Sequence, residues 1–193
     1  MKIYLASKSP RRKELLEGMG IDFEVLFLDT PELVRPGESA AAYSARVTQE
    51  KLTASWQKVI DDNLELMPVL CADTDVVLDN KILGKPRDGQ DAFETIKSYS
   101  GKAHEVLTSV GLKYFDYEKL VTHKTIIEFA HIADSDIKHY LATWDYKDKA
   151  GSYGIRSYIG QFISRIDGCF YSVMGLPLNE VRLLLADFSK FQL

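Results

Sequence analysis

Strand-like and helix-like segments alternate along this chain, and their alternation limits the fold more than any other feature. Residues 3–6 have the apolar pattern of a short buried strand, and residues 11–19 carry apolar side chains at helical spacing. Residues 39–60 predict a long helix, and residues 69–78 predict a further buried strand interrupted by DTD. Because both kinds of element are intermixed, the sequence predicts an α/β or α+β fold with a mixed sheet.

The remaining segments continue the same pattern. In chain order they predict a strand at 23–28, a loop at 29–37, a helix at 92–99, two antiparallel strands at 105–114 and 121–130 joined through 116–119, a helix at 134–143, a glycine-containing loop at 147–154 and a helix at 176–188.

Composition narrows the function classes. With 28 acidic against 24 basic side chains the net charge is −4, so the chain repels polyanions and is not expected to bind nucleic acid. Cys71 lies in an apolar run, where a buried free thiol fits a reducing compartment. The apolar stretch at the first residues is too short for a signal peptide, and no apolar run in the sequence is long enough to span a membrane. We therefore expect a cytoplasmic protein that folds as one unit.

The turn SKSPRR at residues 7–12 is the first candidate for chemistry. It joins the first predicted strand to a helix, and backbone N–H groups at such a junction bind phosphate well. Ser7, Arg11 and Arg12 add a hydroxyl and two cations to it. The alternative is a solvated helix start with surface arginines.

Asp73 is the second candidate. The run at 69–78 is otherwise apolar apart from Thr74 and Asp75, and a carboxylate is costly in such surroundings unless a cation or metal meets it. We therefore expect Asp73 at the end of a strand, facing a site that could hold Mg²⁺. An exposed edge, where the strand breaks, is the alternative.

Two loops supply weaker candidates. Lys85 lies in GKPR at 84–87, where its ammonium suits phosphate oxygens. The segment DKAGSYG at 148–154 has the composition to hold a base or sugar, and could equally be a turn. The four histidines have no metal-ligand spacing, and no P-loop or nucleophile-elbow motif is present.

Taken in order, these segments resemble the Maf family of nucleotide pyrophosphatases. The resemblance is carried by LASKSPRRKELL at 5–16, ADT at 72–74, KILGKP at 81–86, SGKAHEV at 100–106, DKAGSYGI at 148–155 and VMGLPL at 173–178. It implies a mixed α/β fold related to inosine triphosphate pyrophosphatases of the Ham1 type, with two lobes around a cleft, over the whole of residues 1–193.

The resemblance also implies roles for individual residues. It makes Asp73, Glu32 and Lys85 catalytic, with Glu32 and Asp73 holding Mg²⁺ or Mn²⁺. The substrate, a nucleoside triphosphate, would be bound by Ser7, Arg11, Arg12, Lys51, Thr74 and Arg156. A homodimer is the assembly that the resemblance suggests.

Three positions bear on the substrate. Arg11 and Thr74 are similar to the family's dTTP/UTP branch, whereas the 7-methyl-GTP branch carries tryptophan and glutamine there. Arg156 departs from the pyrimidine branch, which has glutamine after the YGI at 153–155. The resemblance thus implies pyrophosphate release from dTTP, UTP or modified pyrimidine nucleotides, with a role in cleaning the nucleotide pool and a link to septum formation. Two alternatives stay open: a nucleotide-binding regulatory protein with weak or no hydrolysis, and a pyrophosphatase for ITP or XTP.

Overall fold

The elements of the chain follow the predicted alternation. The structure is a computed structural model and describes residues 1–191. Within them the strands are β1 (Lys2–Leu5), β2 (Asp22–Val25), β3 (Val69–Leu78), β4 (Lys81–Leu83), β5 (Ala103–Tyr114), β6 (Tyr117–Phe129) and β7 (Ile163–Asp167). The helices are α1 (Pro10–Gly18), α2 (Ala40–Asp61), α3 (Gly89–Tyr99), α4 (Asp134–Leu141), α5 (Phe170–Val173) and α6 (Leu178–Phe191), and 3-10 turns lie at Ala150–Ser152 and Tyr158–Phe162.

The strands form a mixed sheet, as predicted. Their order is β2-β1-β3-β5-β6-β7, and β4 pairs with β3 outside this path. β1 pairs in parallel with both β2 and β3. The pairs β3–β4 and β6–β7 are antiparallel.

The chain divides into two compact units. Unit 1 contains Met1–Asp73, Thr108–His123 and the described residues from Gly175 onward, and unit 2 contains Thr74–Leu107 and Lys124–Met174. The single domain and the two-lobed cleft that the resemblance implies stay predictions.

Unit 1 is built on a parallel β1–α1–β2 motif and on the long helix α2. Ser39 caps α2, because its side chain accepts a hydrogen bond of 3.2 Å from the backbone N–H of Ala42. The helix then buries an apolar stripe in the core of the unit. That core includes Tyr4, Leu26, Leu52, Trp56, Val59, Met67, Val69 and Cys71.

Unit 2 packs α3, α4 and the two 3-10 turns around its own core. Asp88 caps α3 with a 2.8 Å hydrogen bond from Asp91 N–H, so this helix begins three residues before its predicted start. The buried side chains include Val76, Ile96, Tyr99, Val106, Ile127, Phe129, Ile137, Tyr140 and Tyr153.

Two further boundaries differ from the prediction. β2 ends at Val25, because its partner β1 ends at Leu5, whose carbonyl accepts the Leu26 N–H at 3.0 Å. Leu26 is buried in the core, but Phe27 and Leu28 after it are exposed and extend no strand. The turn between β5 and β6 is also tighter than predicted, and residues 117–119 belong to β6. Within residues 1–191, no helix is both long and apolar enough to cross a membrane.

Candidate functional site

Asp73 lies in the middle of β3, and the expectation that it ends a strand is wrong. β3 runs without interruption from Val69 to Leu78, and Asp73 is only 7% exposed within it. A carboxylate inside a buried strand requires a partner. Lys51 provides one, since its Nζ lies 2.5 Å from Asp73 Oδ1.

The register between α2 and β3 explains how the two side chains meet. Ser55 on α2 and Cys71 on β3 are in contact, with Cys71 Sγ 3.8 Å from Ser55 Oγ. One turn earlier on the helix is Lys51, and two residues further along the strand is Asp73. Four helical residues rise about 6 Å, and two strand residues advance about 6.6 Å. Because the helix and the strand run antiparallel and advance by similar distances, the pair Lys51–Asp73 forms beside the pair Ser55–Cys71.

Lys51 joins two carboxylates. Besides Asp73 it contacts Glu32, with 2.6 Å between Lys51 Nζ and Glu32 Oε1. Burial lowers the pKa of Lys51, but the charges and hydrogen bonds of Asp73 and Glu32 outweigh burial, and the net shift is upward. The ammonium therefore stays charged at neutral pH.

Arg12 adds a second cation to this group. Its Nε donates to the Gly175 carbonyl at 2.7 Å, and its Nη1 lies 3.2 Å from Ser7 Oγ. Burial lowers the pKa of the guanidinium, while the negative charges of Asp73 and Glu32 oppose that shift. Arginine remains protonated in either case.

Unit 1 therefore brings together most of the residues that the sequence singled out. The cations Arg12 and Lys51 meet the carboxylates Asp73 and Glu32, and Arg11 lies within electrostatic range of Arg12. Two cations and two carboxylates thus lie together in this cluster. Cations suit the oxygens of an anion and carboxylates suit a metal ion, so the set fits an anion that arrives with a metal ion.

The other three predicted site residues belong to unit 2. Thr74 follows Asp73 on β3, and Lys85 lies exposed on the loop between β4 and α3. Arg156 is exposed just after the second predicted loop. The two loops themselves are tied together, because Gly151 N–H donates to the Gly84 carbonyl at 3.0 Å.

The glycine-rich loop at 148–154 packs into the core of unit 2. Tyr153 is 6% exposed, and its hydroxyl lies 2.7 Å from His104 Nε2. Gly151 has φ +70°, and a Cβ there would lie 2.7 Å from the Tyr99 hydroxyl and from a Val76 methyl. Tyr153 and Gly151 thus serve the packing of this unit, and the buried Tyr153 ring offers no face to a base. Burial also lowers the pKa of His104 to about 4.

Comparisons with known proteins show the family of this chain. A family model described as "Maf-like protein" matches residues 2–188. The chain belongs to the Maf family. A dTTP/UTP pyrophosphatase of Chromobacterium violaceum is 43% identical over 189 residues, which cover 97% of this chain and 94% of that protein. A dTTP/UTP pyrophosphatase of Photobacterium profundum is 40% identical over 190 residues, with 97% of each chain covered.

The Maf chain also shares its fold with a solved structure of another family. The Ham1 protein of Staphylococcus aureus superposes with a TM-score of 0.52 over 97% of this chain and 99% of that one, at 11% identity. At this identity the likeness shows the fold alone. The predicted Ham1-type fold is confirmed.

A metal ion would find only part of a coordination shell in this Maf chain. Among residues 1–191, no three His, Cys, Asp or Glu side chains gather as a metal-binding group. Asp73 and Glu32, however, converge on one ammonium. Mg²⁺ in nucleotide enzymes is commonly bound by one or two carboxylates and by phosphate oxygens of the substrate. These two carboxylates fit a metal ion whose remaining ligands come from the nucleotide.

The sequence reasoning missed the residues that hold the Glu32 loop. Arg46 donates to the Leu33 carbonyl at 2.9 Å, and the Tyr43 hydroxyl lies 3.2 Å from the Glu32 carbonyl oxygen. The only sequence signal was the four-residue spacing of Arg46 and Glu50 on a predicted helix, which is typical of an ordinary surface pair.

Proposed function

We propose that this Maf-family chain is a nucleoside triphosphate pyrophosphatase. In the reaction, water attacks the α-phosphorus, the α–β phosphoanhydride breaks, and the products are a nucleoside monophosphate and pyrophosphate. The names of relatives at 43% and 40% identity support dTTP and UTP as its preferred substrates. The observation that carries the proposal is the cluster of Asp73, Lys51, Glu32 and Arg12.

The cations of the cluster are suited to the triphosphate. Arg12 is held by the Gly175 carbonyl and by Ser7, so its guanidinium has a fixed direction. Lys51 supplies a compact charge on a helix, where its stem is ordered by burial. Such preorganised cations stabilise the charge that develops on the phosphoryl oxygens. We assign Lys85 and Arg11 to the same anion, and Thr74 and Arg156 to the nucleoside end.

Asp73 and Glu32 divide the remaining tasks. One carboxylate would hold a Mg²⁺ or Mn²⁺ ion, which would neutralise charge on the phosphates and make the attacking water more acidic. The other carboxylate would orient that water and accept its proton. Glu32 is the more accessible of the two, since its side chain is 48% exposed and that of Asp73 is 10% exposed.

The proposal is tested by incubating the protein with Mg²⁺ and dTTP, UTP, CTP, GTP, ITP and XTP separately, and measuring pyrophosphate. We expect release from dTTP and UTP first. Binding without release from any nucleotide would instead favour a nucleotide-binding regulatory protein. Faster pyrophosphate release from ITP or XTP than from dTTP and UTP would show that the protein prefers purine nucleotides.

Lys85 has a matched control in the same unit. Lys85→Ala is expected to raise KM and lower kcat, because a phosphate contact is lost. Lys81→Ala removes another exposed lysine nearby in the sequence and is expected to leave both constants unchanged. Equal kinetics of the two variants would exclude Lys85 from the site.

We further propose that the protein works in the cytoplasm as a homodimer. Both cysteines are free, and Cys71 is buried, which supports a reducing compartment. Light scattering coupled to size-exclusion chromatography measures the assembly, and a mass of one chain would refute the dimer.

A further inference from the structure

Glu32 lies in the stretch between β2 and α2, where residues 26–39 belong to no helix or strand. Leu33 and Val34, which follow it, are 74% and 55% exposed, so burial of apolar surface does not fix this part of the loop. The ion pair between Glu32 and Lys51 is half-exposed on the glutamate side. Such a pair contributes little to holding the loop in place.

Arg46 on α2 fastens the loop on the far side of Glu32. Its guanidinium makes two parallel bonds to Glu38, with Nε–Oε1 at 2.6 Å and Nη2–Oε2 at 2.7 Å. The same Nη2 donates to the Leu33 carbonyl, the residue directly after Glu32, at 2.9 Å. Nη1 is anchored to Glu50 on the same helix at 3.0 Å.

The fork geometry gives these bonds a fixed direction. The side chains of Arg46 and Glu38 are only 17% and 11% exposed, and bidentate arginine–carboxylate pairs are among the strongest hydrogen-bonded contacts in proteins. Their hydrogen bond lowers the pKa of Glu38 to about 2. The pair therefore stays ionised throughout the neutral range.

Tyr43, one turn before Arg46, completes the arrangement. Its hydroxyl lies 3.2 Å from the carbonyl oxygen of Glu32 itself. Two consecutive carbonyls, those of Glu32 and Leu33, thus receive donors from α2, the helix that also carries Lys51. The backbone of Glu32 is set by the same rigid element as the cation that its side chain meets.

We propose that Arg46, together with Glu38, is a positioning residue that holds Glu32 against Lys51 and in reach of the reacting phosphate. This inference rests on the proposed function. Arg46 touches no reacting atom in this scheme and acts through the backbone on either side of Glu32.

The kinetic test compares Arg46→Met with Arg182→Met, which removes an exposed arginine from α6 in the same unit. We expect Arg46→Met to lower kcat by about 10- to 100-fold, as is typical when a group that orients a metal-binding carboxylate is lost, with little change in KM for the nucleotide. Arg182→Met is expected to match the wild type. Arg46→Lys should recover part of kcat, because an ammonium can pair with Glu38 but cannot also reach Leu33 and Glu50.

A double-mutant cycle separates positioning from general stability. If Arg46 acts through Glu32, adding Arg46→Met to Glu32→Gln should produce no further loss of activity. Equal losses in both backgrounds, or wild-type kcat in Arg46→Met, would overturn the inference.

Hydrogen exchange provides a readout that needs neither metal nor nucleotide. We expect Arg46→Met to accelerate exchange of the amides at 30–38, and Arg182→Met to leave it unchanged. Unchanged protection of these amides in Arg46→Met would overturn the inference. If the wild type hydrolyses no nucleotide, the proposed function fails, whereas the exchange experiment still decides whether Arg46 holds the loop.

Discussion

Replacing Asp73 by asparagine removes the one carboxylate of the cluster that is almost completely buried. Lys51, whose side chain is 17% exposed, would keep only Glu32 as an anionic partner, and Arg12 would lose its largest favourable charge. Breaking a buried ion pair from one side costs about 3–5 kcal/mol. Because Glu32 stays near Lys51 and both cations retain some contact with water, we expect a smaller loss of about 2–3 kcal/mol in the free energy of unfolding.

Three variants measured side by side make this figure testable. Asp73→Asn should lower Tm by roughly 4–12 °C, using about 2–4 °C per kcal/mol for a chain of this size, and should abolish pyrophosphate release. Glu32→Gln removes a half-exposed carboxylate and should cost less than about 1 kcal/mol. Asp116→Asn alters an exposed turn and serves as the control. Urea unfolding gives the free energies, and the pyrophosphate assay gives the rates.

The order of these variants matters more than any single value. If Asp73→Asn is as stable as the wild type, the carboxylate does not compensate the cations, and the electrostatic account of the cluster is wrong. If it turns over nucleotide normally, Asp73 has no part in the reaction, whatever its effect on stability.

Three further predictions concern stability. The pKa of Lys51 is higher in the folded state than its ordinary value of 10.5. Its ion pairs therefore stabilise the fold fully below pH 10.5 and lose this effect as the pH rises through the folded-state pKa. In urea titrations at alkaline pH, the difference in unfolding free energy between wild type and Lys51→Met should shrink only above pH 10.5. His104 has the opposite pH dependence, because between pH 6.5 and about 4 only the unfolded state binds a proton on this side chain. The free energy of unfolding should therefore fall by up to about 3 kcal/mol on acidification across this range. A His104→Gln variant whose stability falls equally steeply with pH would show that His104 is not the cause. Gly111→Ala would place a Cβ in collision with a Leu52 methyl group and should cost about 1–3 kcal/mol of stability. Gly18→Ala has open space around the new Cβ and should be neutral or stabilising by up to about 1 kcal/mol in thermal melts.

The strong periodic elements of this fold could be predicted from the sequence. The stripe along α2, its Ser39 cap and the apolar run of β3 all rest on contacts between near neighbours, and the structure has them as expected. Pairing partners and turn positions depend on distant residues. The early end of β2 is an example, since it is decided by where β1 stops.

The candidate site was predictable in its residue types and not in its geometry. A carboxylate inside an apolar run signals a partner, but the sequence does not indicate that a lysine from α2 would supply it. The wrong placement of Asp73 at a strand end follows from this gap: the nearest local explanation was a break in the strand. The positioning role of Arg46 and Glu38 was not predicted for the same reason. The hydrogen bond from Arg46 to Leu33 exists only once the loop has folded back on the helix.

Cys71 lies two residues before Asp73 on β3, is 0% exposed, and has its pKa raised to about 12 by burial. A thiol in that state reacts negligibly with alkylating reagents until the strand opens. Cys169 is partly exposed and can be replaced by serine to leave a single reporter. The alkylation rate of Cys71 then measures how often the strand that carries Asp73 separates from α2. Slower alkylation in the presence of nucleotide would quantify ligand binding without any turnover.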